Sequence, residues 1–206
     1  LEVLAQRRSV RHRSTVLSLL NAVAERYRPP ADAIRGIPGA RLAGGDLRRI
    51  QFFGDLSHVD LSDADLREAR LDECSLSNGI LRGALLECAS LTFLEAPNLH
   101  APGIHARNAN LHHSRLTDAN LHSADLAGAD LRGAVLARSN LQDACLHGAD
   151  LTGADLTSAI LKGADLTGAK IAGAQLRDCH LDANQLAQLA AKCSAPRGLR
   201  AEDGAQ

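Results

Sequence analysis

The sequence predicts an all-β solenoid with helices at its two ends, and three observations carry the prediction. From Leu111 to Leu181 every fifth residue is leucine, with Ile171 the single substitute. Two residues before each of these fifteen positions stands a small side chain, Ala in twelve cases and Ser114, Ser139 or Cys179 in the others. An α-helix repeats every 3.6 residues and a flat strand every 2, so a strict period of five fits neither; fixed-period self-similarity marks a solenoid. The 206 residues also include only four aromatics and no Trp or Met. A conventional core would use more large side chains, so burial has to come from many small, near-identical layers.

Residues 1–36 are expected to form a helical N-terminal segment. Within 1–28, Val16, Leu17, Leu19, Leu20, Val23, Ala24 and Tyr27 share an apolar face, Ser14 suits the N-cap, and Pro29-Pro30 stops the helix. Arg7, Arg8, Arg11 and Arg13 precede that face and read as solvated basic side chains rather than a lipid or nucleic-acid contact.

The β-helix is expected over 37–182. Its repeats start near Ile37 and run through Leu42, Leu47 and Phe52; Leu56 then follows after four residues instead of five, so the register slips by one around Phe53-Gly54. The expected core positions are Leu61, Leu66, Leu71, Leu76, Leu81, Leu86 and Leu91, then Leu111, Leu121, Leu131, Leu141, Leu151, Leu161, Ile171 and Leu181. In a repeat such as Ala64-Asp65-Leu66-Arg67-Glu68, the leucine and the alanine two before it face inward and the other three face solvent.

Between 92 and 110 the pattern inverts: Ala96, Ala101 and Ala106 hold the leucine places, while Leu94, Leu99 and Ile104 hold the small ones. If both places point inward, large and small have traded positions at roughly constant volume. The stretch therefore reads as a continuous coil, with a protruding loop as the competing reading. Pro97 and Pro102 fall on surface-facing places, which requires their nitrogens to lie outside the hydrogen-bond ladder.

After Leu181, Asp182-Ala183-Asn184-Gln185 has the form of a capping box, with an acceptor at the N-cap and Gln at N3. A capping helix is expected over 183–193, with Leu186 and Leu189 covering the last apolar layer and its strand edge. Residues 194–206 are polar and read as a disordered tail.

The formal charge of −1 conceals an uneven distribution. Residues 1–36 carry seven Arg against three acids, 37–186 carry thirteen bases against nineteen acids, and 187–206 carry three bases against two acids. The repeats are thus mildly acidic behind a basic N-terminal segment. Five cysteines without a CxxC pair favour free thiols in a reducing compartment and a cytoplasmic location. No stretch approaches the roughly 20 apolar residues that span a bilayer, so this segment is not expected to insert into a membrane.

At units such as Ala124-Asp125-Leu126-Ala127-Gly128, Ala149-Asp150-Leu151-Thr152-Gly153 and Ala154-Asp155-Leu156-Thr157-Ser158, the sequence resembles the pentapeptide-repeat family. The resemblance implies a right-handed quadrilateral β-helix in which four repeats make one square coil of twenty residues. About 30 repeats would give about 7 coils at about 4.8 Å each, a rod about 35 Å long. Leu1-Glu2-Val3-Leu4-Ala5, His12 to Leu20 and Ala24-Glu25-Arg26 resemble, more loosely, the helical segment before the repeats in membrane-anchored bacterial members. That resemblance implies the C-terminal part of a larger protein, tethered through an upstream segment; the start at Leu1 rather than Met agrees with it.

Twenty residues per coil bring residues i and i+20 into one surface column. Arg67, Glu87 and Arg107 would alternate in charge along such a column and hold coils in register, at no more than about 1 kcal/mol per exposed pair. Asp125, Asp130, Asp150, Asp155 and Asp165 precede core leucines and form the candidate acidic surface. Asp at this place is common in the family, which supports a structural role. The competing reading is DNA mimicry toward a type II topoisomerase such as gyrase, which the resemblance admits as a partner. Against it, Arg115, Arg132, Arg138, Lys162, Lys170 and Arg177 interrupt the acids and leave the charge far below that of a duplex.

His100, His105, His112, His113 and His122 project from different faces, and only His100 and His122 are expected to approach, too few to hold zinc. Cys74 and Cys179 take small inward places; Cys88 and Cys145 face out without an activating base. Gly128, Gly133, Gly148, Gly153, Gly163, Gly168 and Gly173 close their repeats at corner turns and are not a phosphate loop. No nucleophile and base are paired, so no catalytic residue, metal or cofactor is assigned. The expected function is a noncatalytic, rigid protein-interaction or spacer module without direct nucleic-acid contact; the pattern names neither the protein partner nor an oligomeric state.

Overall fold

The computed structural model describes residues 33–190. The expected N-terminal helix with its arginines, the end of the capping segment beyond 190 and the polar tail lie outside these residues.

Five-residue periodicity becomes a square coil because each repeat makes one short side and one turn. Leu61 illustrates the turn: its carbonyl accepts the Ala64 amide at 3.1 Å, and Asp63 between them has φ of 54°. Positive φ at the third turn residue alone is the sign pattern of a type II turn. From one corner to the next, the third turn residue always adopts this left-handed conformation, in Gly and non-Gly alike. The favoured type II dipeptides occur accordingly as Pro38-Gly39, Pro97-Asn98 and Pro102-Gly103.

Four of the five amides in a regular repeat enter the backbone network. Ile80 donates to Val59 below at 2.9 Å, Leu61 to Ile80 above at 2.7 Å, Asp63 to Arg82 above at 2.8 Å, and Ala64 closes its own turn. The fifth, directly after the leucine, stays outside. Pro97 and Pro102 occupy that fifth place, so neither removes a ladder donor, and both carbonyls still accept, from Asn78 at 3.0 Å and Gly83 at 3.1 Å.

Each side contributes one bridged residue per coil, so the sheets are stacks of parallel single-residue bridges rather than long strands. From Asp55↔Ser75 to Ile160↔His180 every bridge joins residues twenty apart. The bridges from Arg41↔Asp60 to Gln51↔Arg70, which span the slip, join residues nineteen apart. Gly54 accepts from Ser75, as Val59 accepts from Ile80, yet it is exposed and has the left-handed φ of a corner residue, 76°, so in the shortened repeat from Phe52 to Asp55 one residue does the work of two. Strand β1 (Ala33–Arg35) pairs in parallel with β2 (Gln51–Phe53). Pairing is thus already present at Ala33, four residues before the expected boundary at 37, because the ladder asks only for backbone groups and not for the repeat signature.

The core is a continuous apolar column from Ile34 to Leu189. Leu61, Leu66, Leu71, Leu76, Leu81, Leu86, Leu91, Leu111, Leu121, Leu131, Leu141, Leu151, Leu161, Ile171 and Leu181 all lie in it, with Ile171 the most exposed at 7%. In the inverted stretch Leu94, Leu99 and Ile104 are buried together with Ala96, Ala101 and Ala106. Bridges Ser90↔Asn110, Glu95↔Arg115 and His100↔Asn120 run through it without a gap, which makes it a coil and not a loop. The exchange of volumes is incomplete: a cavity of about 20 Å³ remains among apolar side chains including Leu91, Leu94, Ile104, Ala106 and Leu111. At about 24 cal/mol per Å³ such a void costs only about half a kcal/mol, which the coil tolerates.

Two serines in the small inward place are buried completely, and they differ. Ser139 Oγ donates to the Leu136 carbonyl at 2.7 Å, whereas Ser114 Oγ has no partner. Ser114→Ala is therefore expected to raise stability by about 1 kcal/mol and Ser139→Ala to lower it by about as much, as read in urea melts of the two variants.

Helix α1 (Ala183–Ala190) closes the C-terminal end. Asp182 Oδ1 accepts the amides of Asn184 and Gln185 at 2.9 and 3.2 Å, and Gln185 Oε1 accepts the Asp182 amide at 2.8 Å, completing the box. The same side chains replace a missing next coil: Asp182 Oδ2 accepts from Gly163 at 3.1 Å and Gln188 Oε1 from Leu166 at 3.2 Å, while Gln185 Nε2 donates to Ala164 at 3.2 Å. Leu189 is buried beneath them.

Candidate functional site

The side walls carry the candidate chemistry, and their electrostatics begin with the amide left outside the ladder. In many repeats an Asp or Asn two residues earlier accepts it: Asp130 takes Arg132 N at 3.1 Å, Asp150 takes Thr152 N at 3.1 Å, and Asp155 and Asp165 take Thr157 and Thr167 at 3.0 and 2.9 Å. Asp125 holds Ala127 N more loosely at 3.3 Å, and Asn110, Asn120 and Asn140 do the same work without charge. Where Ser90 stands in place of an Asp, Asp72 of the coil below accepts Thr92 N at 2.9 Å and the hydroxyls of Ser90 and Thr92 at 2.6 Å. Burial works to raise the Asp72 pKa, but these bonds outweigh it and hold the carboxyl below the usual range.

The candidate acidic surface is thus already engaged. Asp130 and Asp150 bridge one above the other, but Arg132 lies 2.6 Å from Asp130 and Lys170 lies 3.2 Å from Asp150. The bond from Arg132 lowers the Asp130 pKa, and bonds from Thr152, joined by Lys170, lower that of Asp150. Asp125 pairs with Arg107 at 2.5 Å. The acids therefore cap turns and tie repeats together, and little of their charge faces solvent alone.

The alternating column of Arg67, Glu87 and Arg107 does not pair as expected. Arg67 turns back to Asp65 of its own repeat at 2.7 Å and Arg107 reaches across the corner to Asp125, while Glu87 Oε2 is covered without a partner. A guanidinium has a closer acceptor two residues back, or eighteen ahead, than one coil away. Inter-coil pairs do form at other places, in Arg138–Asp118 at 2.7 Å and Arg49–Glu68 at 2.8 Å.

The histidines also depart from expectation. His100 Nδ1 lies 3.5 Å from Asn120 Nδ2, beside its bridge partner and not beside His122. His112 and His113 approach each other instead, with ring centroids 4.1 Å apart, and Phe93 joins them, stacked on His113 at 5.4 Å and edge-on to His112 at 6.3 Å. Phe93 is 53% exposed and sits at φ of 54°, in a conformation that costs a side chain with a β-carbon roughly 1–2 kcal/mol. His113 leans over Gly133, where any β-carbon would strike the imidazole. This corner escaped the sequence reading, although Phe93 and His113 are one twenty-residue coil apart and belong to one column.

Among the described residues no three His, Cys, Asp or Glu side chains converge as a metal site. Cys74 and Cys179 are buried, which pushes both thiols up to about 11; Cys88 is exposed and Cys145 half-buried, and all four are free. No described helix is long and apolar enough to cross a membrane.

A family model for pentapeptide repeats, in eight copies, matches residues 55–92, 114–153 and 144–182. No curated protein matches the chain. Among solved structures, a trypsin-treated form of QnrB1, a plasmid-mediated fluoroquinolone resistance protein, is 17% identical over 82% of this chain and 98% of its own, with a TM-score of 0.52, a likeness of fold. HetL, a pentapeptide repeat protein involved in heterocyst differentiation regulation from the cyanobacterium Nostoc sp. strain PCC 7120, is 28% identical over 79% of this chain and 95% of its own, with a TM-score of 0.33.

Proposed function

The chain belongs to the pentapeptide-repeat family, whose fold is a right-handed quadrilateral β-helix, and we propose that it serves as a noncatalytic, rigid protein-interaction or spacer module. The observation that supports this reading most is the backbone ladder, running from Gly36 to His180 around one continuous apolar core. Such a rod bends little, because deforming it breaks bonds on several sides at once. Its walls hold solvated side chains on a fixed lattice, onto which contact residues are placed individually.

The second reading, a DNA-mimicking binder of a type II topoisomerase, draws on the stacked Asp130 and Asp150. A mimic needs carboxylates free to meet a basic groove; here Arg132 and Lys170 already compensate both. The purified protein is accordingly expected neither to inhibit nor to protect a bacterial type II topoisomerase at micromolar concentration in a supercoiling assay. A clear effect that weakens steeply with salt and disappears in Asp130→Asn, Asp150→Asn would reverse the order of the two readings.

A further inference from the structure

We propose that the corner formed by Phe93 and Glu73 is a docking point for an arginine side chain on a basic segment of a partner protein. The inference rests on the interaction-module reading and gives that surface a chemistry.

Three observations converge on this corner. First, Phe93 is the most exposed of the large apolar side chains in the described rod, and it occupies a left-handed corner place where Gly or Asn is easiest to accommodate. The backbone conformation is common to the corners, but a large aromatic ring there gains no core burial and stays open to a partner. Second, one side of the ring is already ordered. His113 stacks on it with planes 24° apart, and His113 is itself backed by His112 and seated over Gly133. A ring held in this way loses little freedom on binding.

Third, the next residue down the column is Glu73, in the same left-handed corner place one coil below, about 4.8 Å away along the axis. Glu73 is exposed and, among the described residues, belongs to no ion pair, unlike other corner acids such as Glu68 with Arg49 and Asp118 with Arg138. Below it the shortened repeat from Phe52 to Asp55 puts Gly54, exposed and at φ of 76°, so the corner place beneath Glu73 carries no side chain.

An aromatic face beside an unpaired carboxylate fits a guanidinium, which stacks on the ring by cation–π attraction and donates paired hydrogen bonds to the carboxylate. Lysine pairs with the acid but stacks less well. The chain uses the stacking half of this chemistry elsewhere, where the Arg35 guanidinium lies 5.3 Å from the Phe53 ring centroid. The net acidity of residues 37–186, thirteen bases against nineteen acids, favours the approach of a basic segment.

The test is a titration of the full chain, isotopically labelled on Phe and His, with the capped tripeptide acetyl-Gly-Arg-Gly-amide, followed by NMR. The neutral isostere carrying citrulline in place of arginine serves as control. Saturable shifts of the Phe93 and His113 ring signals are expected with the arginine peptide only. Binding should weaken at least fivefold in Glu73→Gln, vanish from His113 in Phe93→Ala, and weaken with added salt. Both substitutions are on the surface, and unchanged melting temperatures would show the rod intact. Absence of saturable shifts, equal response to citrulline, or full binding by Glu73→Gln overturns the assignment. So does a shift that depends on protein concentration without peptide, which would place a second copy of the chain at the corner. These outcomes bear on the corner alone; the interaction-module reading fails separately, on the topoisomerase assay.

Discussion

Leu141→Ala and Leu156→Ala each lower stability by about 2–5 kcal/mol in denaturant melts. Both leucines are fully buried, and each belongs to a layer clamped above and below by the ladder, Leu141 donating to Ile160 at 2.8 Å and Leu156 to Gln175 at 2.8 Å. Coils held at strand spacing cannot sink into a vacated volume, which places the cost toward the upper part of the range for large-to-small changes. Thr157→Ala is the matched control. It removes a partly exposed hydroxyl bond to Asp155 but leaves the amide bond to the same carboxylate, so it should shift stability by under about 0.5 kcal/mol. Similar small losses at both kinds of position would mean that the leucine column is not what holds the rod together.

The second large effect belongs to the cap. Gln185→Ala combined with Leu189→Ala should open the C-terminal end and expose its strand edge. Gln185 is 1% exposed, and its loss strands the Asp182 amide and the Ala164 carbonyl, at about 1–3 kcal/mol for each buried group left unpaired. Leu189→Ala adds a further cost of about 2–5 kcal/mol for the emptied site. Because each coil contacts only its neighbours, the damage stays at that end. Hydrogen exchange should show amides of 161–181 losing protection while those of 56–140 keep theirs. Light scattering should show association at concentrations where the parent is unchanged, since an uncovered edge pairs with another chain. Uniform loss of protection along the rod would contradict a local cap.

Much of the architecture was legible before any coordinates because a period of five has one geometric consequence: each repeat adopts the same backbone path, so residue number alone assigns a side chain to the core, the side or the corner. The missing residue near Phe53-Gly54 reappears as nineteen-residue bridges at Arg41, Asp46 and Gln51 and twenty-residue bridges from Asp55 onward. The inverted stretch from 92 to 110 is a continuous coil for the same reason, since both inward places survive the exchange of Leu for Ala. The Asp182–Gln185 box was legible because its geometry is local, its partners only three positions apart.

The misreadings share a different physical cause. Arg67, Glu87 and Arg107 do share a surface column, but the partners of a long side chain depend on rotamers and on acceptors across the corner, two residues away in Arg67–Asp65 and eighteen in Arg107–Asp125. His112 and His113 meet through a corner that turns adjacent residues toward each other. The pairing of Ala33–Arg35 was hidden because β1 needs backbone groups and no repeat signature.

By itself the sequence determined the solenoid, its coil length, the identity of its core column and its C-terminal closure, all consequences of a backbone conformation repeated along the chain. Only the tertiary structure decided which amide of each repeat is left outside the ladder, and therefore that the acidic residues cap turns before they can present charge. It also decided that an exposed phenylalanine and two histidines converge above an unpaired glutamate. These depend on side chains brought together across corners and between coils, where rotamer and local electrostatics, rather than period, choose the partner.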